Sequence, residues 1–363
     1  MRTKNFMLTL CVVVSISLIF IIFGQQKPES IQNIVSTTNK QIKNFKDNLR
    51  DAEAKTLNAD EKYLHLLGFT QSPRLYPTNI WRNTSLPVVV TYVSNGEESQ
   101  AVGLILNVAK ILPNNTILVY NLGISDHALK MLTNYCNSSR CQVINFVLSE
   151  YPSHINTEYH AHRPLVIQDA LHHTGAIFFL ESSYRFMHNV THPMITRLFE
   201  EMAKKSGVLA WPFDLKNPVS SLTHKKMFEY FHSDAENFLF LQMVRADALI
   251  LVNTVMIHNQ VMLPWVQCSL TQDCIFPIGA QSAGCKFDKK PQYRYSGCHS
   301  YDVSALNIAL GLAFKQDSSR YTCTDAVTYL ETVPLTQAEA LLRKLELNAT
   351  TEIRTKLSEY IMN

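Results

Sequence analysis

An apolar run, AIFFL at residues 176–180, ends abruptly in Glu181, Ser182 and Ser183. An apolar strand that ends this way delivers polar side chains to the sheet edge where ligands sit. The competing reading is an ordinary strand-to-loop transition with a solvated glutamate. A second constellation is CHSYDVSALN at residues 298–307. Asp302 and Ser304 fit a helix N-terminus, where a carboxylate satisfies orphan N–H groups and meets the positive end of the dipole. Capping alone would explain them; the same geometry also lets a helix start beside a cysteine-bounded loop point Asp302 or His299 into a cleft.

Other residues carry less. His160, His162, His172 and His173 lack the H-E-x-x-H spacing of a zinc hydrolase and are expected at the surface or in the core. The glycine-bounded stretch at 279–284 lacks G-x-S-x-G spacing, and no P-loop or G-x-G-x-x-G follows a strand. Trp211, Phe213 and Trp265 could stack on a sugar, although core packing is the commoner fate of such side chains.

The elements that must position these residues are legible as periodicity. Strands are predicted at 86–93, 116–123, 141–148 and 176–180, with helices at 99–112, 128–135 and 164–173 between them. The strands lack the two-residue alternation of a half-solvated sheet. This predicts an α/β fold with a Rossmann-type, mostly parallel sheet and helices on both faces. Ligands bind beyond the C-terminal strand ends of such sheets, which nominates the loops at 91–97, 121–126, 151–163 and 181–186. Further on, helices are expected at 194–205, 254–266, 304–314 and 336–347, and short strands at 208–211 and 248–252.

Residues 6–23 are uncharged and mostly apolar, and Arg2 and Lys4 precede them. At 1.5 Å per residue the run spans roughly 27 Å, enough for a thin early-secretory bilayer. The expected order is a cytoplasmic tail at 1–5, a transmembrane anchor at 6–23, a stem at 24–85, a lumenal domain at 86–347 and a C-terminal tail at 348–363. A cleaved signal peptide is the rival reading. Asn83, Asn114, Asn137, Asn189 and Asn348 all occupy N-x-S/T sequons beyond the apolar run, as a lumenal domain requires. Close spacings suggest local bridges between Cys136 and Cys141, Cys268 and Cys274, and Cys285 and Cys298, although spacing alone does not fix connectivity. A formal net charge of +3 over 363 residues, without a Lys/Arg-rich stripe, argues against nucleic acid as a partner.

Taken together, TILVYNLGIS, the YPSH and HRPLVIQDAL segments, FFLESSYRF, QCSLTQDCIFPIGAQSAGCKF and CHSYDVSALNIAL resemble an animal family, expanded in nematodes, of single-pass proteins with a nucleotide-diphospho-sugar-transferase-like domain. The likeness runs over residues 86–314. It implies a GT-A-like fold, in which the strand equivalent to 176–180 ends in D-x-D and holds a divalent metal against a diphosphate. Family-8-like glycosyltransferases also carry a K-P helix start and a later D-Q-x-x-L-N. Arg163-Pro164 resembles the first, and the segment from Asp302 to Asn307 the second. Glu181-Ser182-Ser183 departs from D-x-D, and Val303 stands where glutamine is usual.

The resemblance implies a glycosyltransferase in the Golgi or endoplasmic reticulum, moving a sugar from a nucleotide-sugar donor to a glycan or protein acceptor. Thr91 and Tyr92 would lie near the base or ribose, Arg163 near phosphate, and Glu181 with Ser183 near the diphosphate. Glu181 would also be a ligand of Mn²⁺ or Mg²⁺. Asp302 and His299 would sit at the reacting centre. The departures from D-x-D favour an alternative, a catalytically silent sugar-binding or interaction protein on the same scaffold.

Overall fold

A computed structural model describes residues 12–15, 17, 55–70, 73–76, 85–155, 159–213, 217–288, 290–323 and 329–362. The chain divides into units Met1–Lys55 and Thr56–Asn363, and the sheet lies in the second. Most of the expected anchor and the sequon at Asn83 fall outside the described residues, among which no helix is long and apolar enough to cross a membrane.

Six strands form the sheet: β1 (Ser85–Val93), β2 (Asn115–Asn121), β3 (Cys141–Asn145), β4 (Ala176–Leu180), β6 (Val208–Pro212) and β7 (Val244–Val252), in the order β3-β2-β1-β4-β7-β6. Strands β3, β2, β1 and β4 pair in parallel, and β7 runs antiparallel to both β4 and β6. A small second sheet joins β5 (Tyr184–Phe186) to β8 (Leu330–Thr332). The principal helices are α1 (Glu61–Leu66), α2 (Glu98–Ile111), α3 (Asp126–Tyr135), α4 (Arg163–Thr174), α5 (Leu263–Leu270), α6 (Tyr301–Ala313) and α7 (Leu335–Met362).

Both sheet faces are buried, which is why the strands read as continuous apolar runs. Val88, Val90, Tyr92, Ile177 and Phe179 pack on one face with Leu165 and Leu171 of α4 and Leu306 of α6. Val89, Val93, Phe178, Leu180 and Ile250 pack on the other with Leu104 of α2 and Leu132 of α3. Alternation along a strand therefore separates Thr91 from Tyr92 by the thickness of the sheet.

Two boundaries differ from expectation. Part of the stretch read as stem belongs to the folded unit: Leu67 is fully buried, and its carbonyl accepts a hydrogen bond from Gln168 Nε2 at 2.9 Å. The stretch read as a C-terminal tail continues α7 as far as Met362. The predicted helix at 194–205 is interrupted by a wider π-helical segment at Leu198–Ala203, and the one at 254–266 by another at Ile257–Met262. The three bridges form as spacing suggested, Cys136–Cys141, Cys268–Cys274 and Cys285–Cys298, while Cys323 is buried outside them.

Candidate functional site

The strands β1 to β4 end on one edge of the sheet, and α4, running back from that edge, begins there with Arg163-Pro164. Proline suits a first helical turn, because its missing N–H would have no partner there and its fixed φ already matches the helix. α6 begins nearby with Tyr301-Asp302. Tyr301 has φ of 45°, a left-handed conformation that costs a bulky residue about 1–3 kcal/mol. Its ring is held by Tyr159 at 4.9 Å and Phe276 at 5.8 Å.

These two helix starts meet in an ion-pair cluster. Arg163 Nη1 donates to Asp302 Oδ2 at 2.6 Å, and Nη2 donates to Glu181 Oε1 at 2.5 Å. Tyr92 Oη donates to the same glutamate oxygen at 2.9 Å. A cation at two helix N-termini opposes both dipoles, and the paired carboxylates compensate. The Arg163 and Asp302 side chains are 4% and 2% exposed, whereas Glu181, at 23%, is the member that faces water.

Burial and charge set the protonation of the cluster. Burial, with the neighbouring Glu181 carboxylate adding to it, pushes Asp302 up to about 7 despite Arg163. Burial also acts to raise Glu181, but the Arg163 charge, His160 and the donated hydrogen bonds hold it below its ordinary value. Arg163 loses hydration on burial, yet the two carboxylates lift it well above its ordinary range.

The remaining expected residues are distributed differently. Thr91 is fully buried on the opposite face of β1 from Tyr92, so the two do not share a pocket. Ser183 lies in the turn after Glu181, and its carbonyl accepts from Val333 N at 2.8 Å. His299, expected at the reacting centre, is buried with both ring nitrogens engaged: Nδ1 accepts from His224 N at 3.1 Å and Nε2 donates to the Ile275 carbonyl at 3.2 Å. Burial lowers it to about 3, which keeps it neutral as a tie between loops. Asp302 is enclosed behind Arg163, and Trp265 Nε1 donates to its carbonyl at 2.8 Å. Its carboxylate holds the guanidinium instead of opening to the edge.

The strand-end acid expected to ligate Mn²⁺ or Mg²⁺ accepts from Arg163 and Tyr92 on one oxygen, and among the described residues no group of three or more His, Cys, Asp or Glu side chains is placed to hold a metal. The Arg163 guanidinium places a positive charge against this strand end.

Two residues beside the cluster escaped the sequence. Asp247 on β7 stands opposite the strand end, its carbonyl accepting from Glu181 N at 2.9 Å, and its carboxylate takes Arg245 Nε and Nη2 at 2.9 and 2.8 Å. Arg245 lies over the Tyr184 ring at 5.6 Å. The signal was Arg-Ala-Asp at the head of an apolar run, two charges at strand spacing. Asn307 of the DVSALN segment has a separate use. Its amide takes Val244 N and gives to Val244 O, both at 2.8 Å, which ties α6 to the start of β7.

The same edge carries two cavities. One of about 640 Å³ is lined by Ser94 and Asn95 after β1, Leu122 after β2, and Leu148, Tyr151 and Ser153 after β3, three of the four nominated loops. The other, of about 900 Å³, opens beyond β6 and β7.

No protein-family model and no curated protein matches the sequence. Structural neighbours are glycosyltransferases. WbbM, a bifunctional glycosyltransferase in its apo form, shares 10% identity with a TM-score of 0.41 over 68% of this chain. The chain spans 41% of WbbM's length. The core-mannan synthase CmsA/Ktr4 from Aspergillus fumigatus, in a Mn/GDP form, shares 12% identity with a TM-score of 0.39 over 74% of this chain and 84% of its own. The mannosyltransferase Ktr4p from S. cerevisiae shares 12% identity with a TM-score of 0.39 over 79% of this chain and 81% of its own.

Proposed function

We propose that this chain is a glycosyltransferase of the GT-A type, transferring a sugar from a nucleotide-sugar donor to a glycan or protein acceptor. The observation that carries this reading is the Arg163 cluster at the C-terminal sheet edge, flanked by one cavity over β1 to β3 and another over β6 and β7. Such an edge is where doubly wound sheets bind ligands. The donor's base and ribose would enter the first cavity, with its diphosphate turned toward Arg163. Glu181, the half-buried carboxylate of the cluster, would accept from hydroxyls of the transferred sugar. Asp302 would hold Arg163 in place, so that the guanidinium offsets charge developing on the leaving diphosphate.

The protein would act in the Golgi or endoplasmic reticulum lumen on a type II anchor at residues 6–23. Supporting that address, Asn114, Asn137, Asn189 and Asn348 are exposed, and three disulfides suit an oxidising compartment.

One observation favours a second reading, a silent sugar-binding protein: the charge of Arg163 is already matched by two carboxylates. The discriminating experiment titrates the full chain with a panel of UDP- and GDP-sugars, with Mn²⁺ and with chelator, and measures release of the nucleoside diphosphate in the presence of glycan acceptors. Binding and release with chelator present support transfer. Binding without release supports the silent reading, and no binding overturns the assignment of the first cavity.

A further inference from the structure

The chain leaves a short 3-10 turn at Ala235–Phe238, bends at Leu239 and Phe240, and from Leu241 to Met243 is paired on its way into β7. Val219 N donates to Leu241 O and Phe213 N to Met243 O, both at 2.9 Å, and Pro218 bridges Gln242. Leu241 and Met243 are buried, while Phe240 and Gln242 face outward. Phe240 is 89% exposed. The phenyl lies outside both core clusters, so a polar residue at this position would be accepted without loss to the core.

A second ring completes a corner. Tyr293, 38% exposed, approaches Phe240 at 6.3 Å between centroids with planes inclined at 67°. It comes from a different segment, the loop closed by Cys285–Cys298, and is fixed there because its carbonyl accepts from Ser220 Oγ at 2.8 Å. Around the two rings stand the amides of Gln242 and Gln292 and the ammonium of Lys290, with no carboxylate among the described residues lining the cavity of about 900 Å³. Two crossed aromatic faces beside amide donors and acceptors match one chemistry closely. A pyranose presents an apolar C–H face to a ring and a rim of hydroxyls to amides.

We infer that Phe240 and Tyr293, with Gln242 and Gln292, form a carbohydrate subsite that grips an acceptor oligosaccharide away from the point of transfer. The position fits a chain-like ligand. Phe240 and Asp247 are seven residues apart, so even a fully extended chain, at about 3.3 Å per residue, puts the platform within about 23 Å of the Glu181 edge. The inference rests on the transfer reading for its purpose, though sugar binding at these rings can be tested alone.

The test measures retention of the full chain on immobilised mannose-, galactose- and N-acetylglucosamine-terminated oligosaccharides, beside a phenylalanine-rich peptide as an apolar control. Wild type is expected on at least one glycan, with Phe240→Ser and Tyr293→Ser each lowering retention at least tenfold at unchanged melting temperature. Equal retention by the variants, retention on no glycan, or capture by the peptide alone would overturn the subsite. Nucleotide-sugar binding is read separately on the same proteins. If it is absent while glycan retention depends on Phe240, the transfer reading falls and the subsite stands.

Discussion

Arg163 and Asp302, 139 residues apart in sequence, meet at 2.6 Å where the first turns of α4 and α6 converge. The contact joins the β1-to-β4 half of the sheet to the helices of the second half, and Glu181 on the other arm of the guanidinium brings it to the water-facing edge. Any ligand that draws Arg163 toward itself must compete with two carboxylates already in place.

Removing the guanidinium leaves a buried acid without its cation. Arg163→Met is expected to cost about 3–5 kcal/mol of stability, measured by denaturant unfolding. Arg163→Lys should recover only part, because an ammonium cannot span two carboxylates as a planar fork does. An Arg163→Met protein that unfolds at the wild-type midpoint would show that the cluster does not support the fold.

The protonation of Asp302 has a direction that can be checked. Its folded value of about 7 lies above the ordinary 3.8, so the folded state keeps a proton that the unfolded chain releases. The resulting stabilisation is full below pH 3.8 and is lost as pH rises to about 7. Melting temperatures of wild type should therefore fall relative to Asp302→Asn between those limits. Parallel curves for the two proteins across the window would refute the assignment.

The sheet was legible because burial on both faces writes itself as apolar runs, and the bridges because their cysteines are close in sequence. Glu181 and Asp302 were legible as acids ending a strand and opening a helix. Their meeting through Arg163 was not, since nothing local to residues 163, 181 or 302 encodes a contact across so much chain. His299 misled for the same reason: a histidine beside an acid looks catalytic until Ile275 and His224, distant in sequence, take both nitrogens. Asp247 was missed because the apolar run predicts a strand only from residue 248, whereas β7 begins at Val244.

The turn that presents Glu181 depends on a glycine in another element. Arg185 donates to the carbonyls of Ser182, Tyr184 and Gln100, and a Cβ on Gly103 of α2 would lie 2.2 Å from its Nη2. Gly103→Ala gains helix propensity but must displace that guanidinium. A net loss of about 1–3 kcal/mol is expected by thermal unfolding, as for overpacking elsewhere. A more stable variant would show that Arg185 moves freely.

The Cys285–Cys298 bridge closes a separation of 13 residues and leads into the start of α6. Replacing both cysteines by serine should cost about 3 kcal/mol in the chain-entropy picture. Proteolysis should then cut first between residues 285 and 298. Cleavage elsewhere at the wild-type rate would mean that hydrogen bonds such as Ser296 N to Ser221 O hold the loop without the bridge.

The two acids of the cluster should separate kinetically, because they stand at different depths. Glu181 faces water, so Glu181→Gln removes a carboxylate that the donor would meet and is expected to weaken nucleotide-sugar binding, raising KM. Asp302 is enclosed behind Arg163, so Asp302→Asn keeps volume and one acceptor oxygen but removes the charge that fixes the guanidinium. Ground-state binding should survive, while stabilisation of the leaving diphosphate weakens and kcat falls on the order of 10²-fold. Titration with the donor and steady-state turnover on each variant separate the two effects. If Asp302→Asn turns over normally while folded, the charge of Asp302 has no part in transfer and Arg163 is placed by Glu181 and Tyr92 alone.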